Sequence, residues 1–287
     1  MWFRNLGLIS LSQARIDKNL IKQEISMKMK FIKLILWIIS ILFFAQCSQK
    51  KGVVVDNLEA VDLNYPLPGF DLDGSDPLAI VMADRIMSAM GGREAWDKTR
   101  YIKWNFFGRR TLLWDKEAAK VRIEIQQGDQ VILLDMNQST GKVFQQGIEL
   151  TNPDSVAFYL AKGERIWIND SYWLVMPFKL KDTGVTLTYV KEDTTQFGEL
   201  SDVLKLTFEK VGVSPDNAYW IWVSKDQDLI KQWAYFTHFT DSLPQFVSPW
   251  EDYEQFGQIL LADGRGSRNL TEVAVLTSVP PQTFISL

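Results

Sequence analysis

VRIEIQQGDQVILLDMNQSTGKVFQQ, residues 121–146, carries the pattern that decides the fold. Val121, Ile123 and Ile125 alternate with Arg122, Glu124 and Gln126. That period of two belongs to a half-buried strand, whose successive side chains leave opposite faces. Gly128-Asp129 turns the chain into a second apolar stretch, 130–135, and 137–141 turns it again into 142–146. Gly, Asn, Asp and Ser suit such turns because they accept unusual φ values or bond their own backbone. Connections this short join antiparallel strands, since a parallel pair needs a crossover of about a dozen residues.

Outward from this stretch the period continues. Strands are predicted from Tyr101 onward, and over 185–189, 203–208, 218–223, 229–236, 250–256, 259–262 and 271–276. Ser214-Pro215-Asp216-Asn217 and 225–228 read as turns between them. Roughly ten strands at hairpin spacing predict one antiparallel meander rather than βαβ units.

Helical spacing occurs in two places. Ser75-Asp76-Pro77 combines a capping residue with proline at the first helical position. Leu78, Val81, Met82, Ile86 and Met90 then follow at spacings of three and four, predicting one buried helix face. Gly91-Gly92 ends this helix, and 93–98 adds a short turn carrying Trp96. The second place interrupts the meander. Asn152-Pro153 caps a predicted helix over 156–162, and Gly163 ends it. The segment IWINDSYWLVMPFKL, 166–180, is too apolar to lie bare in water. Asn169-Asp170-Ser171 can cap a short helical turn with Trp173 and Met176 on one face, stopped by Pro177. The segment therefore reads either as ordinary core or as a lid. As a lid, Trp173 and Met176 touch ligand and Phe178 holds its edge.

The beginning of the chain reads as an address. Lys28, Lys30 and Lys33 precede an unbroken apolar run, LILWIISILFFA (34–45), and Gln46-Cys47 follow. The run is shorter than the roughly 20 residues that span a bilayer as a helix. A basic flank, a short apolar region and a cysteine behind it resemble a bacterial lipoprotein signal, which implies lipidation of Cys47. Gln46 departs from the small residue usual at that point. Residues 1–26 fit no part of a signal, so translation is expected to start at Met27 or Met29. Residues 47–76, with Pro66, Pro68, Gly69 and Gly74, read as a tether. Removing 1–46 takes away seven of 31 basic and two of 35 acidic residues, leaving a net charge of −9. Such a body is not drawn to anionic lipid by charge, so attachment rests on the lipid.

Composition narrows the function. The chain is 46% hydrophobic and 23% charged, a globular balance. With one cysteine and one histidine it forms no intramolecular disulfide and no Cys₄ or Cys₂His₂ zinc site. No basic block tracks a phosphate backbone, so nucleic acid is not an expected partner. GxSxG, GxGxxG and Walker loops are missing. His238, the single histidine, sits between aromatics and reads as a packed or surface residue. Glu94, Asp97, Asp170 and Asp252 could do acid–base chemistry only if two lay a few ångströms apart. The expectation is a non-enzymatic protein needing no metal or cofactor.

The 11 tryptophans are the better lead. Trp104 and Phe106 share a strand face, as do Trp220 and Trp222, and Trp233 and Tyr235. Ile221, Val223, Ala234 and Phe236 between them are also apolar, so these strands are covered on both faces. The 78–90 helix is one cover; the other is an opposing wall or a ligand. Many large rings on a curved sheet favour a hollow over a close-packed core. Met82, Met87, Met90 and Met176 would suit an irregular ligand.

This layout resembles the LolA/LolB-like proteins over residues 77–276. The cues are Ala218-Tyr219-Trp220-Ile221-Trp222-Val223, the turn Asp226-Gln227-Asp228, and the returning strand 229–235. Trp250-Glu251-Asp252-Tyr253 with Gly257-Gln258-Ile259-Leu260-Leu261 is similar to the family's closing hairpin, with Ala262 where the family has proline. The resemblance implies a mainly β, α+β domain over 77–287: a curved, antiparallel, unclosed half-barrel packed on an N-terminal helix, with a short helical lid. It implies acyl chains held beneath the lid. The expected cavity or lid residues are Trp104, Phe106, Trp173, Met176, Phe178, Trp220, Trp222, Trp233 and Tyr235. The expected protein is a monomer, lipid-anchored to the outer membrane on its periplasmic side, binding lipid or lipoprotein acyl chains. The alternative is a glycan-binding envelope lipoprotein stacking tryptophans on sugars, which would place its rings on loops.

Overall fold

A computed structural model describes residues 64–209 and 216–287. The signal-like run, Cys47, the first part of the expected tether and Ser214-Pro215 lie outside the described residues. Two helices open the fold, α1 (Pro77–Ala89) and α2 (Gly92–Lys98). Strands β1 (Tyr101–Phe106), β2 (Arg110–Asp115), β3 (Lys120–Ile125), β4 (Gln130–Asp135), β5 (Thr140–Gln145) and β6 (Ile148–Glu149) follow. A long helix, α3 (Pro153–Val175), and a 3₁₀ turn (Met176–Lys179) then lead into β7 (Val185–Thr194) and β8 (Leu200–Phe208). The remaining strands are β9 (Ala218–Ser224), β10 (Ile230–Phe236), β11 (Phe246–Pro249), β12 (Glu251–Phe256), β13 (Ile259–Gly264) and β14 (Thr271–Leu276).

The strands form a seven-stranded sheet of order β14-β1-β2-β3-β4-β5-β6, a five-stranded sheet of order β11-β10-β9-β8-β7, and the hairpin β12-β13. All pairings in them are antiparallel. The architecture is an unclosed, mainly β half-barrel with helices, and the expected single meander is divided where α3 intervenes. In β3 the alternation works as read: Val121 and Ile123 are buried and Glu124 is exposed. The connections after β2, β3 and β4 each end on a left-handed residue: Ala119 (φ 52°), Asp129 (φ 49°) and Ser139 (φ 51°). Asp115 and Asp135 start two of them by accepting the Ala118 and Gln138 N–H groups at 3.0 and 3.2 Å.

Three helical expectations change. In α1 the buried stripe is Ala79, Met82, Ala83, Ile86 and Met87, continued by Met90, while Leu78 and Val81 are 53% and 54% exposed. The two alanines let the helix backbone lie close to the core, which places the larger residues beside them outward. Ser75 and Asp76 cap nothing locally. Ser75 Oγ accepts the Leu187 N–H at 2.9 Å, and Asp76 Oδ2 accepts the Tyr189 N–H at 2.8 Å. With further backbone bonds from Leu67, Asp71 and Asp76 to Lys181, Val185 and Leu187, they fasten residues 67–76 to β7 and the turn before it. This part of the expected tether therefore belongs to the body.

The short lid is also corrected. α3 runs unbroken for 23 residues, about 35 Å at 1.5 Å per residue. Asn152 caps it as read, accepting the Ser155 N–H at 2.9 Å. Gly163 does not end it, and Asp170 and Ser171 lie buried inside it rather than starting a new turn. Gly163 is where the helix presses on the seven-stranded sheet: a Cβ there would sit 2.9 Å from Ile132 Cγ2. The glycine makes room; it is not a stop signal.

Candidate functional site

The second half of α3 crosses the five-stranded sheet, and between them lies a cavity of about 530 Å³. The strand register decides which side chains reach it. Tyr235 pairs with Tyr219 and Trp233 with Ile221 across β9 and β10. Tyr219, Trp233 and Tyr235 therefore share the face turned to α3, joined by Phe208 from β8 and Phe246 from β11. α3 answers with Tyr172 and Trp173. The rings touch throughout. Trp233 lies parallel to Tyr219 (5.1 Å, 6°), and Trp173 meets Trp233 edge-on (4.6 Å, 87°). Trp173 also stacks on Phe246 (5.5 Å), which stacks on Tyr235 (5.3 Å). Pairs of this kind contribute about 1 kcal/mol each beyond area burial, so the cavity is a stiff aromatic box.

Its electrostatics are those of a dry wall with a wet margin. Burial pushes the phenols of Tyr172 and Tyr219 up, so both stay neutral. The Tyr172 hydroxyl and the indole N–H groups of Trp167 and Trp233 are buried without a hydrogen-bond partner. Arg165, Asn169, Lys179 and Asp182 supply the polar part of the lining.

Two arginines, Arg110 partly buried and Arg265 buried, hold α3 in place. Arg110 of β2 grips Asp170 with both carboxylate oxygens, Nη2 lying 2.7 Å from Oδ1. Burial of Asp170 raises its carboxyl above the ordinary value, against the opposing pull of Arg110 and Asn169. Arg265, after β13, donates to the carbonyls of Trp173 (2.5 Å), Gly264 (2.6 Å) and Ala262 (3.1 Å) and stacks on Trp250 (3.6 Å). Burial lowers its guanidinium to about 9, so it remains charged near neutrality. One of its carbonyl partners, that of Trp173, lies in the last turn of α3, where the helix dipole favours positive charge.

The residues singled out from sequence fall into separate places. Trp173, Trp233 and Tyr235 line the cavity. Trp104 and Phe106 are buried in the main core, with the Phe106 and Trp173 ring centroids 6.2 Å apart. Met176 (0% exposed) and Phe178 (1%) are core as well, carried inward by the 3₁₀ turn Met176–Lys179. Phe178 stacks on Trp96 at 4.4 Å rather than holding a lid edge. Trp220 and Trp222 pair with Ala234 and Gln232, which places them on the outer face of the sheet in a cluster with Val203 and Phe236. Sequence reasoning did not single out Tyr172, Phe208, Tyr219 and Phe246 as lining; Tyr219 and Phe246 are found from their pairing with Tyr235, which a single strand does not carry. His238 is half-buried, bonds Thr240 Oγ1 at 2.6 Å and stacks on Phe239. Among the described residues no cluster of three or more His, Cys, Asp or Glu could hold a metal, and no helix is long and apolar enough to cross a membrane.

No protein-family model matches the chain, and no curated protein sequence does. Solved structures match it at low similarity. A DUF1329 family protein from Desulfovibrio piger is 12% identical, with a TM-score of 0.40 over 73% of this chain and 98% of its own. MucB is 12% identical, with a TM-score of 0.24 over 74% of this chain and 64% of its own.

Proposed function

We propose that this protein is a non-enzymatic binding protein of the cell envelope whose cavity receives an acyl chain of a lipid or lipoprotein. The observation that carries the reading is the aromatic box between α3 and the five-stranded sheet. Each methylene moved into such a wall gains about 0.8 kcal/mol, and pockets of this size and apolar lining are the usual form of small-ligand sites. The rings stand on β8, β9, β10, β11 and α3 rather than on loops, which favours an apolar ligand over a sugar. Asp182, the one carboxylate lining the cavity, is paired with Lys179, which speaks for binding over acid–base chemistry. Cys47 behind its apolar run would hold a monomeric body to the outer membrane, on the periplasmic side.

The test is mass spectrometry of organic extracts from protein purified without detergent, with titration of a fluorescent fatty-acyl probe. Acyl species should co-purify. Trp173→Ala should weaken the probe about tenfold, the equivalent of roughly 1.4 kcal/mol. Extracts free of acyl species, with a probe that does not saturate, would refute the proposal. An acyl mass on the peptide beginning at Cys47 is expected for the anchor, and its absence from wild type would remove it.

A further inference from the structure

We infer that the cavity is built for one amphiphile with a single acyl chain and an oxyanion head, and that Arg165 receives that head. The inference rests on the acyl-chain reading above and narrows it.

Size sets the number of chains. A cavity of about 530 Å³ falls inside the roughly 300–1,000 Å³ range of pockets that take a single small ligand. One chain of about sixteen carbons with a small head is a ligand of that class. Two or three chains, as on a diacyl lipid or a triacylated lipoprotein terminus, would need a cavity two or three times larger.

Charge sets the head. Arg165, Asn169 and Trp173 follow one another at intervals of four along α3, so they form one stripe on its surface. The stripe runs from exposed Arg165 and Asn169 to Trp173 inside the aromatic box. A chain lying along it would have its tail on rings and its head beside a guanidinium. Three charged side chains line the cavity: Arg165, Lys179 and Asp182. Lys179 and Asp182 form an ion pair with each other. Arg165 makes no ion pair among the described residues, which leaves one uncommitted positive charge at the mouth. Arginine's planar fork matches a carboxylate or phosphate with two parallel hydrogen bonds. A carboxylate and a phosphate monoester share this chemistry, and either could be the natural head.

Competition against a fluorescent acyl probe on the purified full chain separates these cases. Hexadecanoate, hexadecyl phosphate and methyl hexadecanoate are compared below their micelle concentrations, at low and high salt, in wild type, Arg165→Glu and Arg165→Gln. The expected result is one chain per protein, with at least one oxyanion competing three- to tenfold better than the ester at low salt. The gap should shrink with salt, as screening of an exposed charge requires, vanish in Arg165→Gln and vanish or reverse in Arg165→Glu, while ester affinity stays within twofold. The better of the two oxyanions names the head. Equal competition by ester and oxyanions, a gap that survives both substitutions, or more than one chain bound overturns the inference and leaves the acyl-chain function standing. No saturable binding of the probe overturns that function first.

Discussion

Asp170→Ala is the substitution that most directly tests how α3 is held. Asp170 is fully buried and Arg110 is 20% exposed, so the pair lies mostly out of water. Removing one partner of a buried pair costs about 3–5 kcal/mol, because the remaining charge is stranded rather than because the pair itself is worth that much. Arg110 can still reach solvent and lies over the Phe106 ring at 4.8 Å, which puts the expected cost at the low end, about 3 kcal/mol. In a domain of roughly 200 residues that corresponds to a fall in Tm of about 6–12 °C. The same argument predicts that Arg110→Met combined with Asp170→Leu recovers most of the loss, since no charge is left behind. Urea unfolding of wild type, the single variant and the double variant, with m-values compared, gives the three free energies. A single variant losing less than about 1 kcal/mol, or a double variant losing as much as the single, would refute the reasoning.

Phe178→Ala should cost about 3–5 kcal/mol, the range for emptying a packed aromatic site, and leave affinity for an acyl probe unchanged; a weakened probe would return Phe178 to the cavity. Trp220→Ala on the outer face should also leave probe affinity unchanged, whereas Tyr219→Ala should reduce it several-fold; similar effects from the two would contradict the strand register. For pH, burial keeps the Asp170 carboxyl protonated to a higher pH than in the unfolded chain, where it titrates near 3.8. The native state therefore binds more protons across that window, so this group's contribution to stability falls as pH rises from 3.8 through its raised native value. The stability difference between wild type and Asp170→Asn, measured by urea unfolding from pH 3.5 to 7, should fall over the same window, and a flat difference would contradict it.

How much of this was legible depended on whether a residue's own neighbours along the chain carried the signal. The hairpins from β3 to β5 were legible because β3 alternates polar and apolar residues and turn residues punctuate the stretch after it. β9 and β10 were legible as strands but not as faces: Tyr219-Trp220-Ile221-Trp222 is apolar at every position, so period two does not say which pair looks inward. Only the pairing of Tyr219 with Tyr235 does, and that is a property of two strands. The α1 face was misplaced because alanines carry little hydrophobic weight, yet Ala79 and Ala83 lie deepest where the helix approaches the core. Gly163 read as a stop because glycine costs a free helix about 1 kcal/mol. Its reason for being there, Ile132, lies on another element. Phe178 looked like lid because greasy segments between strands invite that reading, while its partner Trp96 is some eighty residues earlier.

The attachment of residues 67–76 to β7 has a consequence for anyone trimming the chain. β7 is the last strand of its sheet, and its outward backbone groups at Val185, Leu187 and Tyr189 are answered by Asp71, Ser75 and Asp76. A fragment begun at Pro77, the first helical residue and the boundary that element-by-element reading suggests, would strip these partners away. It would leave an open edge ready to recruit the same edge of another molecule, the route by which β proteins aggregate. A soluble fragment therefore has to start at or before Leu67, although residues 67–76 add no helix and no strand.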